Sequence, residues 1–165
     1  MMALGIVGLV ILAGAILFPI FAEVNHRDKN RIARSNAKQF GVALMVYMED
    51  HDKHLPSFKN KESFRAAIYP YIKNDEQTDY VISRMVYTNA GLEGLPLDSL
   101  SDADKVVLFA ISPEREDSNG VFVVFANSRT KLINDHLILQ TISESDRIVL
   151  EARQKAKESE PKPEN

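Results

Sequence analysis

The chain contains no cysteine among its 165 residues. That excludes disulfides, thiolate metal sites and a cysteine nucleophile. It leaves the compartment open, because an exported protein need not carry disulfides. The short motifs of catalysis are missing as well. There is no Gly-x-Ser-x-Gly elbow, no His-Glu-x-x-His, no Gly-rich phosphate loop and no Gly-x-Gly-x-x-Gly. A net charge of −3 gives no reason to expect nucleic acid, whose footprint is a clustered basic face. Nothing in this inventory points to an enzyme.

Charge is also absent from Met1 to Ala22, MMALGIVGLVILAGAILFPIFA. At about 1.5 Å per residue this run reaches about 33 Å, enough for the hydrocarbon core of a bilayer. Backbone groups in lipid must be satisfied within the segment, so the run is helical if it spans. A buried core helix seldom stays apolar on every face for so long. A cleavable signal peptide is the other reading, with Ile20 at −3 and Ala22 at −1. However, the stretch lacks an N-terminal Lys or Arg and exceeds the usual apolar length. Gly5, Gly8, Gly14, Ala13 and Ala15 offer small residues for helix packing, though not at Gly-x-x-x-Gly spacing. Pro19 is placed to kink the span.

After the span, Glu23 to Asn30 is almost wholly polar and reads as a solvated neck. Ala33, Ala37, Phe40, Leu44 and Tyr47 then recur at spacings of four and three, which makes one apolar seam on a helix. Arg31, Arg34, Lys38 and Glu49 lie off that seam. His51 to Asn60 is a loop, and Lys61 to Tyr69 a short helix that Pro70 ends or kinks. Tyr80–Thr88 is rich in β-branched and aromatic residues and reads as a strand. Lys105–Ile111 and Val121–Ala126 flank a polar segment and form a hairpin. Asn127-Ser128 turns the chain into a further strand, Arg129–Ile133. The seam of the long helix is the natural cover for one face of such a sheet. Ser143-Glu-Ser-Asp146 resembles a helix N-cap, followed by Ile148, Val149 and Ala152.

Two clusters invite a metal. Glu49, Asp50, His51, Asp52 and His54 bring two imidazoles three residues apart, a spacing that zinc accepts, but a helix-capping, solvated loop explains the same residues without a metal and is the favoured reading. Glu93, Asp98, Asp102 and Asp104 lie in an acidic connecting loop without EF-hand spacing. No metal site, cofactor or catalytic residue is therefore expected.

GAILFPIFAEV, followed by SNAKQFGVALMVYMEDHDKHLP (Ser35–Pro56), resembles the N-terminal region of bacterial type IV pilin-like and type II secretion pseudopilin-like proteins, those with a prepilin-type cleavage and methylation signal. Their pattern runs AAILFPVFA and then SNLKQIGLALMMYAQDYDE-x-x-P, so the match covers Gly14 to Pro56. IYPYIKN (Ile68–Asn74) is similar to the family's LLPYLKN, and VFVVFANSRTKLI (Val121–Ile133) to its NVLFADGHVKWL. The chain also departs from the pattern. Counted back from Pro19, the family's Glu falls on Met2 and its cleavage site before Met1. Asn127-Ser128 replaces an Asp-Gly, and Ala33 stands where the family's first cysteine would be. The expectation is a divergent member lacking the leader, the cleavage site and the Glu.

The expected organisation is α+β. It comprises a transmembrane helix (1–22), a neck and amphipathic helix (23–50), a small pilin-like α+β domain on an antiparallel sheet (51–142), a C-terminal helix detachable from the domain (143–158) and a disordered tail (159–165). The resemblance implies a non-enzymatic, single-pass protein of the bacterial cytoplasmic membrane, its domain outside the cytoplasm. Its partners would be membrane lipid through residues 1–22 and other pilin-like subunits or components of a secretion system or pilus. The basic flank Arg27, Lys29, Arg31, Arg34 argues for the opposite orientation. The alternative function is a tethered or secreted module that binds a small ligand, ion or surface polysaccharide through loops 89–104 and 113–119.

Overall fold

The computed structural model describes residues 29–113 and 119–159. The expected span over 1–22, the start of the neck (23–28) and the tail beyond residue 159 lie outside the described residues. No described helix is long and apolar enough to cross a membrane.

The first described element is helix α1, residues 29–50. Its seam docks as the spacing predicts: Ala33, Ala37, Phe40 and Leu44 are fully buried, while Arg31, Arg34, Lys38 and Glu49 are exposed. Tyr47 is half-buried at the end of the seam. Gly41 sets how closely the helix approaches the sheet. A Cβ added there would stand 2.7 Å from Val124 Cγ1, inside van der Waals contact. Gly41→Val should therefore lift α1 from the sheet and lower stability by about 2 kcal/mol, read as a drop in thermal midpoint. An unchanged midpoint would contradict this close approach.

Helix α2, Lys61–Ile72, starts at Asn60, whose Oδ1 accepts from the N–H groups of Glu62 (2.9 Å) and Ser63 (3.0 Å). Pro70 does not end it. The helix carries Pro70 inside and closes at Lys73, which is left-handed at φ 52° and donates its N–H to the Tyr69 carbonyl. The proline forgoes one i→i−4 bond, to the Ala66 carbonyl, and the helix continues past it for two residues. Helix α3, Asp75–Arg84, corrects the expected strand at Tyr80–Thr88, of which only Met85–Thr88 is extended, as β1. Capping explains the difference. Asn74 Oδ1 accepts from the Gln77 N–H at 2.9 Å, and Asp75 and Glu76 sit in the first turn, where the helix dipole favours acids. Thr78, Val81 and Ile82 then bury one helical stripe. Arg65 joins the two helices, donating from Nε to Asp79 Oδ1 at 2.7 Å and from Nη2 to Asp75.

Strands β1, β2 (Val107–Ile111), β3 (Gly120–Phe125) and β4 (Thr130–Asn134) form an antiparallel meander in sheet order β1-β2-β3-β4. The β3–β4 turn is the expected Asn127-Ser128. Ser128 takes φ 62°, and Asn127 Oδ1 accepts from the Arg129 N–H at 3.0 Å. Alternate residues point to opposite faces. Phe109, Ile111, Phe122 and Val124 join the α1 seam in the main core, together with Phe64 and Ile68 from α2. Val107, Ala110, Val123 and Phe125 face the other way, where Ile138 packs on them.

That second face is covered by helix α4, Asp135–Ser159, which begins directly after β4 and eight residues before the expected start at 143. The N-cap reading of Ser143–Asp146 is thereby overturned, since the segment lies inside the helix. The helix is also part of the domain. Ser145, Ile148, Val149 and Ala152 are buried at i, i+3, i+4 and i+7. The predicted cover on one face is thus a cover on both, and all five residues of β2 are buried.

Candidate functional surface

The loop after β1 is fastened by side chains that sequence reading passed over. Asn89 opens a 3-10 turn, Ala90–Leu92, and its Nδ2 donates to the Val107 carbonyl and to Ser145 Oγ, each at 3.1 Å. Ser145 Oγ also accepts from the Val107 N–H at 2.9 Å, and Asn89 Oδ1 from the Gly91 N–H at 3.1 Å. Arg153 donates to the carbonyls of Gly91 (2.6 Å) and Glu93 (2.5 Å). Leu92 and Leu95 from this loop are core residues. The sequence signal was the period of α4 itself, which puts Ser145 on the same stripe as Ile148, Val149 and Ala152.

Tyr87 donates its hydroxyl to Asp146 Oδ1 at 3.0 Å, a further tie between β1 and α4. Burial, and then the hydrogen bond to the carboxylate, push its phenol well above the ordinary 10.0. The folded pKa is raised, so the stabilisation is complete below the unfolded value and is lost as pH rises beyond it. Thermal midpoints should therefore fall above pH 10.0 more steeply in the wild type than in Tyr87→Phe. Parallel curves would contradict that assignment.

The residues singled out for metals are dispersed or paired. The His51 ring stacks on Tyr47 with centroids 3.8 Å apart, and Nδ1 donates to the Tyr47 carbonyl at 2.7 Å. Glu49 pairs with Lys53, and Asp50 accepts from the Tyr71 hydroxyl at 3.0 Å. Glu93 pairs with Lys59 at 2.9 Å, and that ammonium holds its carboxyl below the usual value. Asp102 pairs with Lys105 at 3.0 Å. Among the described residues, no group of three or more His, Cys, Asp or Glu is placed to hold a metal ion. Of the second acidic loop, residues 114–118 lie outside the described residues.

Two surface features involve α1. Its outward side carries Val42 and Val46, each nearly half exposed, which line a shallow groove with Ser35, Lys38, Gln39 and Ile72. Gln77 of α3 donates from Nε2 to Gln39 Oε1 at 3.0 Å and closes one wall of that groove. The second is a hollow of about 480 Å³ between the start of described α1 and the edge strand β4. Asn30, Arg31, Arg34, Thr130 and Lys131 line it, together with Phe122 and Leu132. Among the described residues, Asn30 Oδ1 and Thr130 Oγ1 are buried there and find no hydrogen-bond partner. An unmet buried polar group costs about 1–3 kcal/mol, so each is a place where an added group would be stabilised. Both features are suited to contact with a partner. Compared with family models, curated proteins and solved structures, the chain matches none.

Proposed function

We propose that this chain is a non-enzymatic, membrane-anchored protein of the bacterial cell envelope, pilin-like or pseudopilin-like, that acts through protein–protein assembly. One observation carries the reading. The helix that follows the apolar run Met1–Ala22 buries one seam in the sheet and leaves Val42 and Val46 open on its other side. A helix so placed serves both as the stalk of its own domain and as a contact for another stalk. Val42 and Val46 stand one turn apart and make a short apolar stripe with polar neighbours, the arrangement of an interface centre with its rim. The match of Gly14–Pro56 to the pilin pattern points the same way. The partners are other pilin-like subunits or components of a type II secretion system or type IV pilus, with residues 1–22 in the lipid of the cytoplasmic membrane. The domain lies outside the cytoplasm.

Fractionation of cells making the full chain tests this reading. The chain should stay in the membrane pellet through an alkaline carbonate wash. Protease added outside spheroplasts should remove the domain. Release of the intact chain into the wash would overturn the anchor, and protection of the domain from protease would reverse its side.

A further inference from the structure

The basic hollow at the start of described α1 is a second, separate surface. Its lining combines Arg31, Arg34 and Lys131 with Asn30 and Thr130, and among the described residues that line it none is acidic. Arg34 is exposed on α1, and Lys131 is exposed on the free edge of β4, from where its long side chain can turn round the strand toward whatever enters. Thr130 is more than nine-tenths buried, and its Oγ1 has no partner among the described residues. The hydroxyl can donate to an oxyanion. Asn30 Oδ1, likewise without a partner among the described residues, needs a donor, which an anion bearing hydroxyl groups would bring. Phe122 and Leu132 give the hollow an apolar side, with Leu132 nearly half exposed. The ligand chemistry is therefore a phosphate-like anion carrying hydroxyls and attached to something greasy.

Position in the chain narrows the source. Asn30 follows Ala22, the end of the uncharged run, by only eight residues, with Arg27 and Lys29 between them. Even fully extended, that linker reaches less than about 30 Å, and as helix about 12 Å. A hollow tied so closely to a span faces the headgroup layer, where cations are drawn to anionic lipid. We infer that the hollow beside Arg34 and Lys131 binds the phosphate of an anionic phospholipid such as phosphatidylglycerol, and so seats the domain on the membrane surface. The inference rests on the anchored reading given above, and the experiment below separates the failure of either.

The full chain is reconstituted into phosphatidylcholine nanodiscs, which reads insertion without regard to charge. Thermal midpoints are then compared in discs with and without phosphatidylglycerol, for the wild type and for Arg34→Gln/Lys131→Gln. Both substitutions are at exposed positions, so the variant should fold. The expected result is a midpoint higher by roughly 5 °C with phosphatidylglycerol in the wild type, and a gain at least halved in the variant. No gain, or an equal gain in both proteins, overturns the inference while leaving the anchor intact. An equal gain from inorganic phosphate added to phosphatidylcholine discs overturns the lipid source. If the chain does not insert, the anchor fails. The same shift, measured with phosphatidylglycerol vesicles added to the uninserted chain, then decides the hollow by itself.

Discussion

Phe40→Ala is expected to destabilise the domain by about 4 kcal/mol. Phe40 is fully buried at the centre of the α1 seam, with ring centroids 5.6 Å from Phe109 in an edge contact and 5.8 Å from Phe64. It therefore joins α1, β2 and α2 in one contact. Truncation removes transfer energy and leaves a cavity, because neighbours held by the sheet and by α2 relax only in part. Aromatic pairing adds to the loss beyond the area buried. Thermal unfolding of the full chain in mild detergent, followed by circular dichroism, measures it. Val46→Ala, on the open side of the same helix, should change stability by less than about 0.5 kcal/mol. Similar losses for the two variants would show that α1 is not docked by its seam.

Asn89→Ala should cost about 3 kcal/mol, although it deletes only one small polar side chain. Asn89 is 2 % exposed, and its amide serves two acceptors and one donor in a place water does not reach. Removing it strands the Gly91 N–H and the Val107 carbonyl and frees the loop that carries Leu92 and Leu95. Ser145→Ala deprives the Val107 N–H of its partner at a point where β2 bulges against its neighbour. The two residues share one network, so the double variant should lose less than the sum of the singles, with a coupling of at least about 1 kcal/mol. Strict additivity would mean that α4 and the 89–104 loop are held independently.

The elements visible in the sequence are those whose side-chain period is strong over its whole length. The α1 seam is of this kind: Ala33, Ala37, Phe40 and Leu44 are spaced for one face, and all are buried. Strands β2 and β3 stood out as the most apolar stretches after the uncharged run. Helix α3 was hidden because Tyr80, Val81 and Ile82 carry high strand propensity, while the Asn74 cap and the acids of the first turn decide in favour of helix. The first turns of α4 were hidden because Leu137 and Leu139 remain exposed, so no amphipathic stripe exists there to read. The buried network and the basic hollow lay beyond sequence reading for a topological reason. Asn89 meets Ser145, and Arg34 meets Lys131, only after the meander has formed, and no local pattern links them. The uncharged run and its orientation rest on residues outside the described part of the chain.

In the proposed assembly, α1 carries the domain and offers its open side to a second copy of the chain. With no native cysteine, Val42→Cys supplies the only thiol in the chain. Oxidative cross-linking in intact membranes should convert this variant to covalent dimers, because a thiol can form only one disulfide. Leu139→Cys, more exposed but on the outer side of α4, should stay monomeric. Dimers at Val42→Cys alone are the result predicted here. A monomer at both positions, or equal dimer at both, would contradict assembly of copies of this chain through α1.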